Sequence, residues 1–487
     1  MKNKSQILFY VLFYLFLTVF IFTGSLVWIN FYLTSINREI QKTIALNVAE
    51  SGVEYYRWYL NHFPRDFTDG TNQPGPYVHD FYNRVGEKIG EFILEITPPT
   101  EGFSLVNIKS TGKLVSSAIQ KTVETILGRP SLAKFSVAVD DNVRFGSGTV
   151  VYGEIHSNKG IRFDGLAYNL IKSSLLTYFD PDHSGCKEWA VHTHVSPQDP
   201  CPDPNNPDPS TIPLRPDVFR AGREVGAPLL DFIGLSADLS ALKNLAIASG
   251  TYLGFSGNNN YGYELILKEN NFDVYKVTAI VDQPRNCVIY DMNEGYGGND
   301  RYKQSTWSIK TKQFIGTYNY PSNGVIFVED NVWVSGRINN KKITIASAKF
   351  PENSAQMTNI IINNDLVYTN YNGQDSIGLI AQRNINVGLK SEDDLRIDAV
   401  LIAQNGRVGR YYYNSDCGPE YKRTKITIYG SIITRKRYGF SWVDELGNYN
   451  SGYQQRELIY NANNLYFPPP YFPLASEFYS IFRWKEY

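Results

Sequence analysis

The chain opens on an unbroken apolar run. From Ile7 to Leu33 (ILFYVLFYLFLTVFIFTGSLVWINFYL) no residue is charged. As a helix rising about 1.5 Å per residue, the run exceeds the roughly 30 Å hydrocarbon core of a bilayer. A spacing of four then takes over. Ile36, Ile40 and Ile44, followed by Val48, Gly52 and Tyr56, fall on one face, while Arg38, Glu39, Gln41, Lys42, Glu50 and Glu54 occupy the others. Pro64 stops the pattern. The expectation is one long helix, apolar all round in its first half and amphipathic in its second.

The period then changes to two. GEKIGEFILEITP alternates, with Ile89, Phe92, Leu94 and Ile96 as its apolar positions, and FSLVNIKSTGKL alternates after it. Ser110-Thr111-Gly112 reads as a hairpin turn. Three or four antiparallel strands are expected up to a boundary at Arg129-Pro130. From Ser131 the pattern becomes short apolar triplets separated by Asn, Gly and Ser. Leu379-Ile380-Ala381-Gln382 returns as Leu401-Ile402-Ala403-Gln404, and a period of about 20 residues with small corner residues reads as coils of a β-solenoid. Asn side chains can ladder between such coils; an irregular β-sandwich is the rival.

Two features interrupt the coils. Phe179 to Pro216 is rich in Pro, Asp, Asn and His, so it reads as a loop. Ser236 is then expected to cap a helix over DLSALKNLAIAS, with Leu239, Leu242 and Leu245 on one side and Gly250 past its end. YELILKENNFDVYKVTAIV follows as a hairpin turning at Glu269-Asn270-Asn271. The expected fold class is α+β, mainly β. It comprises a transmembrane and amphipathic stalk helix (1–63), a small antiparallel sheet (64–130), first solenoid coils (131–178), a loop and α/β insert (179–320), and a parallel β-helix-like solenoid with a C-terminal segment (321–487).

Composition narrows the function classes. Formal net charge is −1 over 487 residues, with acids and bases interspersed, so no basic face argues for a nucleic-acid partner. Lys2 and Lys4 precede the apolar run, which places the N-terminus in the cytoplasm and the rest outside. A signal peptide has an apolar core of about 7–15 residues and a small-residue cleavage site; this run is longer and no such site follows it. A retained single-pass membrane anchor is therefore expected. Cys186, Cys201, Cys287 and Cys417 form no CxxC pair, which speaks against a zinc knuckle or thioredoxin-type site.

Polar chemistry concentrates in FDPDHSGCKEWAVHTHVSPQDPC. Asp180, Asp182 and Ser184, followed by Gly185, fit the first half of a calcium loop, but its twelfth position is Val191 where glutamate belongs. His183, Cys186, His192, His194 and Cys201 offer softer ligands, at the spacing of no zinc motif. A Cys186–Cys201 disulfide ranks above either metal reading, since an exported loop permits it. The pairing of Cys287 and Cys417 stays open. No catalytic residue is singled out: GxSxG, P-loop and HExxH patterns are all missing, and Glu392-Asp393-Asp394 reads as a solvated corner. Tyr411, Tyr412 and Tyr413 could hold sugars, and are equally consistent with protein contacts or plain packing. No cofactor is expected beyond calcium.

ALNVAESGVEYYRWYL after an N-terminal span resembles the N-terminal region of PilX-type pilus-assembly proteins, which are minor pilin-like components. GEIHSNKGIRFDG, IAQRNINV, LIAQNGRVGR, ITIYGSI and ELIYNANNLYFPPPYFPL are similar to segments of large exported bacterial proteins of that kind. The resemblance implies a non-enzymatic, membrane-anchored protein with a pilin-like stalk and a β-rich body, working in type IV pilus assembly or surface adhesion. Its implied partners are the membrane, other pilin-like or pilus-assembly proteins and a surface ligand. Pilins generally carry Gly before an aromatic residue at the peptidase site and glutamate five residues into the mature chain; MKNKSQILFY offers neither. A tip or initiation role fits that departure. The alternatives are a cell-surface β-helix enzyme acting on carbohydrate and a structural envelope protein.

Overall fold

The computed structural model describes residues 2–232, 237–298, 301–302, 305–443 and 448–487. The chain divides into two compact units. One comprises the residues up to Pro99, Ser104–Arg129 and Glu477–Tyr487; the other comprises Thr100–Phe103 and Pro130–Ser476.

In the first unit, helix α1 runs from Lys2 to His62. Its side chains from Gln6 to Ile40 are all exposed, and this helix is long and apolar enough to cross a membrane. Beyond Ile44 the apolar face is covered. Ala45, Val48, Ala49, Val53, Tyr56, Tyr59 and Leu60 are buried, as is Gly52, each large side chain contributing about 1.5–3 kcal/mol. Asp66 lies just past the helix end. Its carboxylate accepts hydrogen bonds from the Thr68 backbone N–H at 2.8 Å, the Gly70 N–H at 3.0 Å and the Tyr59 hydroxyl.

The buried face of α1 rests on an antiparallel sheet of five strands. They are β1 (Tyr77–Tyr82), β2 (Lys88–Thr97), β3 (Val106–Leu114), β4 (Gln120–Gly128) and a C-terminal strand, Ser480–Glu486, which pairs with β4. The sheet departs from expectation at Ser110-Thr111-Gly112, which is the middle of β3 and no turn. Gly112 is there because α1 passes directly over it. A Cβ on Gly112 would stand 2.2 Å from the Ala45 carbonyl oxygen and 2.6 Å from the Ala49 nitrogen. Gly52 of the helix answers from above, where a Cβ would meet the Ser110 hydroxyl at 2.4 Å.

The second unit is built from parallel pairings. The two Leu-Ile-Ala segments stack in register, Leu379 on Leu401 and Ile380 on Ile402. The same ladder continues through Ile345 on one side and Ile432 on the other. The intervening chain lengths differ widely, so only one pair of rungs shows as a sequence repeat. Ile432 then pairs with Val137, and Val137 with Ile155. The first strands of the body thus stack beyond strands more than 250 residues later in the chain. At the other end, Thr251–Leu253 and Gly262–Leu267 pair in parallel with Val325–Val328 and Val332–Ile338, so the expected hairpin (Gly262–Leu267 with Asn271–Ile280) joins the ladders.

Asparagines ladder at one corner. Asn331 Oδ1 accepts from the Asn359 N–H at 2.8 Å, Asn359 Oδ1 from the Asn384 N–H at 3.3 Å, and Asn384 Oδ1 from the Arg407 N–H at 2.9 Å. Helix α2 (Leu239–Ser249) covers the outer side of the first ladder. Its Leu239, Leu242 and Ala246 share a cluster with Phe327, Ala346, Ile380, Val400 and Ile433. Asp238 caps it, accepting from the Ala241 N–H at 2.9 Å; Ser236, the expected cap, lies outside the described residues.

Candidate functional site

The loop from Phe179 to Cys201 carries a compact polar cluster. Its base is the short strand Val191–His192, which pairs in parallel with Ile161–Phe163, setting His192 beside Arg162. Strand alternation sends Val191 into the apolar interior and His192 to the opposite face. His194, two residues on, follows His192, and their ring centroids lie 5.1 Å apart. Glu188 arrives from a two-residue antiparallel pairing, Tyr178 opposite Glu188. Cys186 and Cys201 are joined in a disulfide that brackets Glu188, His192 and His194.

His192 Nε2 lies 3.0 Å from Glu188 Oε2 and 3.6 Å from Asp180 Oδ2, and His194 Nε2 lies 2.6 Å from Glu188 Oε1. One ligand-type atom from each of Asp180, Glu188, His192 and His194 falls within 4.8 Å of all the others. Asp180, Glu188 and His192 are buried. Burial alone would favour neutral imidazole and neutral carboxyls. The contacts of His192 with Asp180 and Glu188 outweigh it and push His192 up to about 9. In the same way Glu188 and Asp180 are held below the usual carboxylate range, against burial, by their contacts with the histidines. Two carboxylates and two imidazoles thus converge in one largely buried pocket.

The sequence-selected ligands part company here. Asp180 turns its carboxylate to His192, with Arg162 3.5 Å away. Asp182 instead forms a two-pronged ion pair with Arg437 at 2.5 Å and 3.1 Å, and Ser184 is exposed. The three oxygens proposed for calcium thus address different neighbours. Glu188 escaped sequence reasoning because in CKEWAV it reads as an ordinary loop charge. The signal that could have found it is the His-x-His pair, whose two rings lie side by side next to Glu188.

A cleft of about 700 Å3 opens nearby within the same unit, lined by Arg144, Arg437, Tyr290, Trp442 and Gln455 among others. Its carboxylates are spoken for: Asp182 pairs with Arg437, and Asp291 pairs with Arg407. Tyr290 and Trp442 pack edge to face, centroids 5.9 Å apart. Of the tyrosine run, Tyr411 and Tyr413 are buried, which fits the packing alternative and not exposed sugar-holding rings. Arg407 stacks on Tyr411, and the Tyr413 hydroxyl donates to the Ser305 carbonyl at 3.0 Å. Cys287 and Cys417 form the second disulfide.

No family model matches the sequence, and no curated protein matches it. Among solved structures, the competence-associated pilin ComZ from Thermus thermophilus is similar at 11% identity over 92% of this chain and 98% of that one, with a TM-score of 0.30. A score that low supports no inference about fold or role.

Proposed function

We propose that this chain is a non-enzymatic, membrane-anchored minor pilin-like protein whose exported β-solenoid body serves type IV pilus assembly or surface adhesion. The observation that carries the reading is α1. Its first half exposes apolar side chains on every side, and its second half is buried against a small antiparallel sheet. A helix apolar all round needs an apolar surrounding, whereas the docked half belongs to a folded head. Lys2 and Lys4 orient the N-terminus to the cytoplasm. The two disulfides suit the oxidising side of the membrane. The solenoid reading is supported by the stacked parallel registers and the asparagine ladder, since each coil leaves an apolar face for its neighbour to cover. A PilX-type assembly component is the finer form of the proposal, and it rests on the resemblance of ALNVAESGVEYYRWYL.

The cleft supplies a place for a surface ligand. Half-buried Tyr290 and Trp442 offer flat apolar faces beside Arg144, a combination suited to sugar rings or planar polar groups. N-terminal sequencing of the protein from sheared filaments and from membranes tests the role. Recovery in filaments supports a pilus component, and an intact N-terminus found only in membranes overturns the filament-subunit version.

A further inference from the structure

We propose that Asp180, Glu188, His192 and His194 form a closed structural site for one divalent transition-metal ion of the zinc class. Four protein ligands in a tetrahedron with bonds of about 2.0–2.1 Å place their ligand atoms about 3.4 Å apart. The separations of 3.0 Å and 3.6 Å around His192 Nε2 bracket that value, and all four atoms lie within 4.8 Å of one another.

Unsatisfied atoms make the second, independent observation. Asp180 Oδ2, Glu188 Oε2 and His192 Nε2 are all buried, and none makes a hydrogen bond of acceptable geometry. Buried polar atoms are normally paired, yet here three orphans from three separate chain positions converge on one point. His192 is 1% exposed. Its other nitrogen is already committed: Nδ1 lies 3.1 Å from the Trp189 carbonyl oxygen, to which its N–H donates. That outer hydrogen bond leaves Nε2 as the nitrogen that faces the carboxylates, the arrangement of histidines that ligate metals. With no metal, a proton on Nε2 sits between the two carboxylates. A divalent cation among the three atoms takes that proton's place.

The donor set selects the ion. Calcium takes about six to eight oxygen ligands, whereas two imidazole nitrogens with two carboxylates suit zinc and its neighbours. With four protein donors no position is open for substrate, so the ion serves to pin the Phe179–Cys201 loop. The Cys186–Cys201 disulfide closes the part that carries Glu188, His192 and His194, and the metal ties that part to Asp180 beside the strand that carries Arg162.

The test uses the full chain in detergent with its disulfides intact, stripped with chelator and then equilibrated with zinc, cobalt or calcium. Zinc is expected at one ion per chain after gel filtration, with calcium not retained, and cobalt is expected to give the visible bands of a tetrahedral site. His194→Ala removes a partly exposed ligand and should weaken zinc binding by at least about 100-fold, beyond the 10–100-fold typical of outer-shell changes. His62→Ala, on the exposed side of α1, should leave zinc binding unchanged. A folded parent that holds no zinc and gives no cobalt bands overturns the proposal, whatever the variants do; His192 is then simply a protonated partner of its carboxylates. Zinc bound as tightly by His194→Ala as by the parent overturns it as well.

Discussion

The antiparallel sheet under α1 and the parallel ladders of the body bury their strands in different ways. In β3, Val106, Ile108, Ser110, Gly112 and Leu114 are buried while the residues between them are half-buried or exposed. One face answers to a helix and the other to water. In Ser376–Ala381 every residue is buried. Ile377, Leu379 and Ala381 point to the interior, and Ile380 joins the cluster under α2 on the outside. A strand covered on one face alternates in sequence, and a strand covered on both reads as a continuous apolar run. The same contrast governs how each region should fail.

The largest effect is expected inside the ladders. Leu401→Ala empties a fully buried rung between Leu379 and Ile432 and should cost about 2–5 kcal/mol in denaturant unfolding. A loss under about 1 kcal/mol would mean the stacked interior is slack, and the contrast would disappear. Gly112→Val should cost about 3 kcal/mol through the clash with the α1 backbone. Hydrogen exchange should show lost protection in β3 and the outer half of α1 while Leu379 and Leu401 keep theirs. Uniform loss across both units would erase the distinction between them. Asn359→Ala removes the Oδ1 that accepts from the Asn384 N–H and the Nδ2 that donates to Asn331 Oδ1, at about 1–3 kcal/mol; an effect near zero would say that the corners are held by backbone bonds alone.

The smallest effect is a pH dependence confined to the antiparallel unit. Hydrogen bonds from Thr68 and Tyr59 lower Asp66 from 3.8 to about 2. A carboxylate with a depressed folded pKa stabilises the fold above its unfolded value, and that contribution is lost as pH falls toward the folded one. The stability difference between the parent and Asp66→Asn should therefore shrink between about pH 4 and pH 2. A difference that does not change over that window contradicts the stabilising part given to the hydrogen bonds that Asp66 accepts.

Legibility in the sequence followed the same divide. Val48, Gly52 and Tyr56 were placed on the covered face of α1 by spacing alone, because one side of that helix meets water. α2 was legible from Leu239 and Leu242, and the stacking of Leu379 on Leu401 from their shared tetrapeptide. Gly112 was misread because a glycine in Ser-Thr-Gly looks the same at a turn as under a crossing helix. The pairing of Ile432 with Val137 left no trace, since parallel neighbours so far apart in the chain share no turn and no repeat. Three of the four residues of the candidate site were visible: Asp180, His192 and His194 stood out as polar residues in a loop. Glu188 did not, because its meaning comes from a two-residue strand pairing and from the disulfide that folds the loop back.

The central claim is that α1 is one rod, held in the bilayer by Ile7–Leu33 and docked to the head beyond Ile44. Cells expressing the full chain can be treated with external protease and their membranes then washed with alkaline carbonate, with intact-mass analysis of what remains. The account predicts that the body is digested from outside and that a carbonate-resistant fragment containing Ile7–Leu33 stays with the membrane. Release of the whole chain by carbonate, or a mature chain that begins after Leu33, would contradict it.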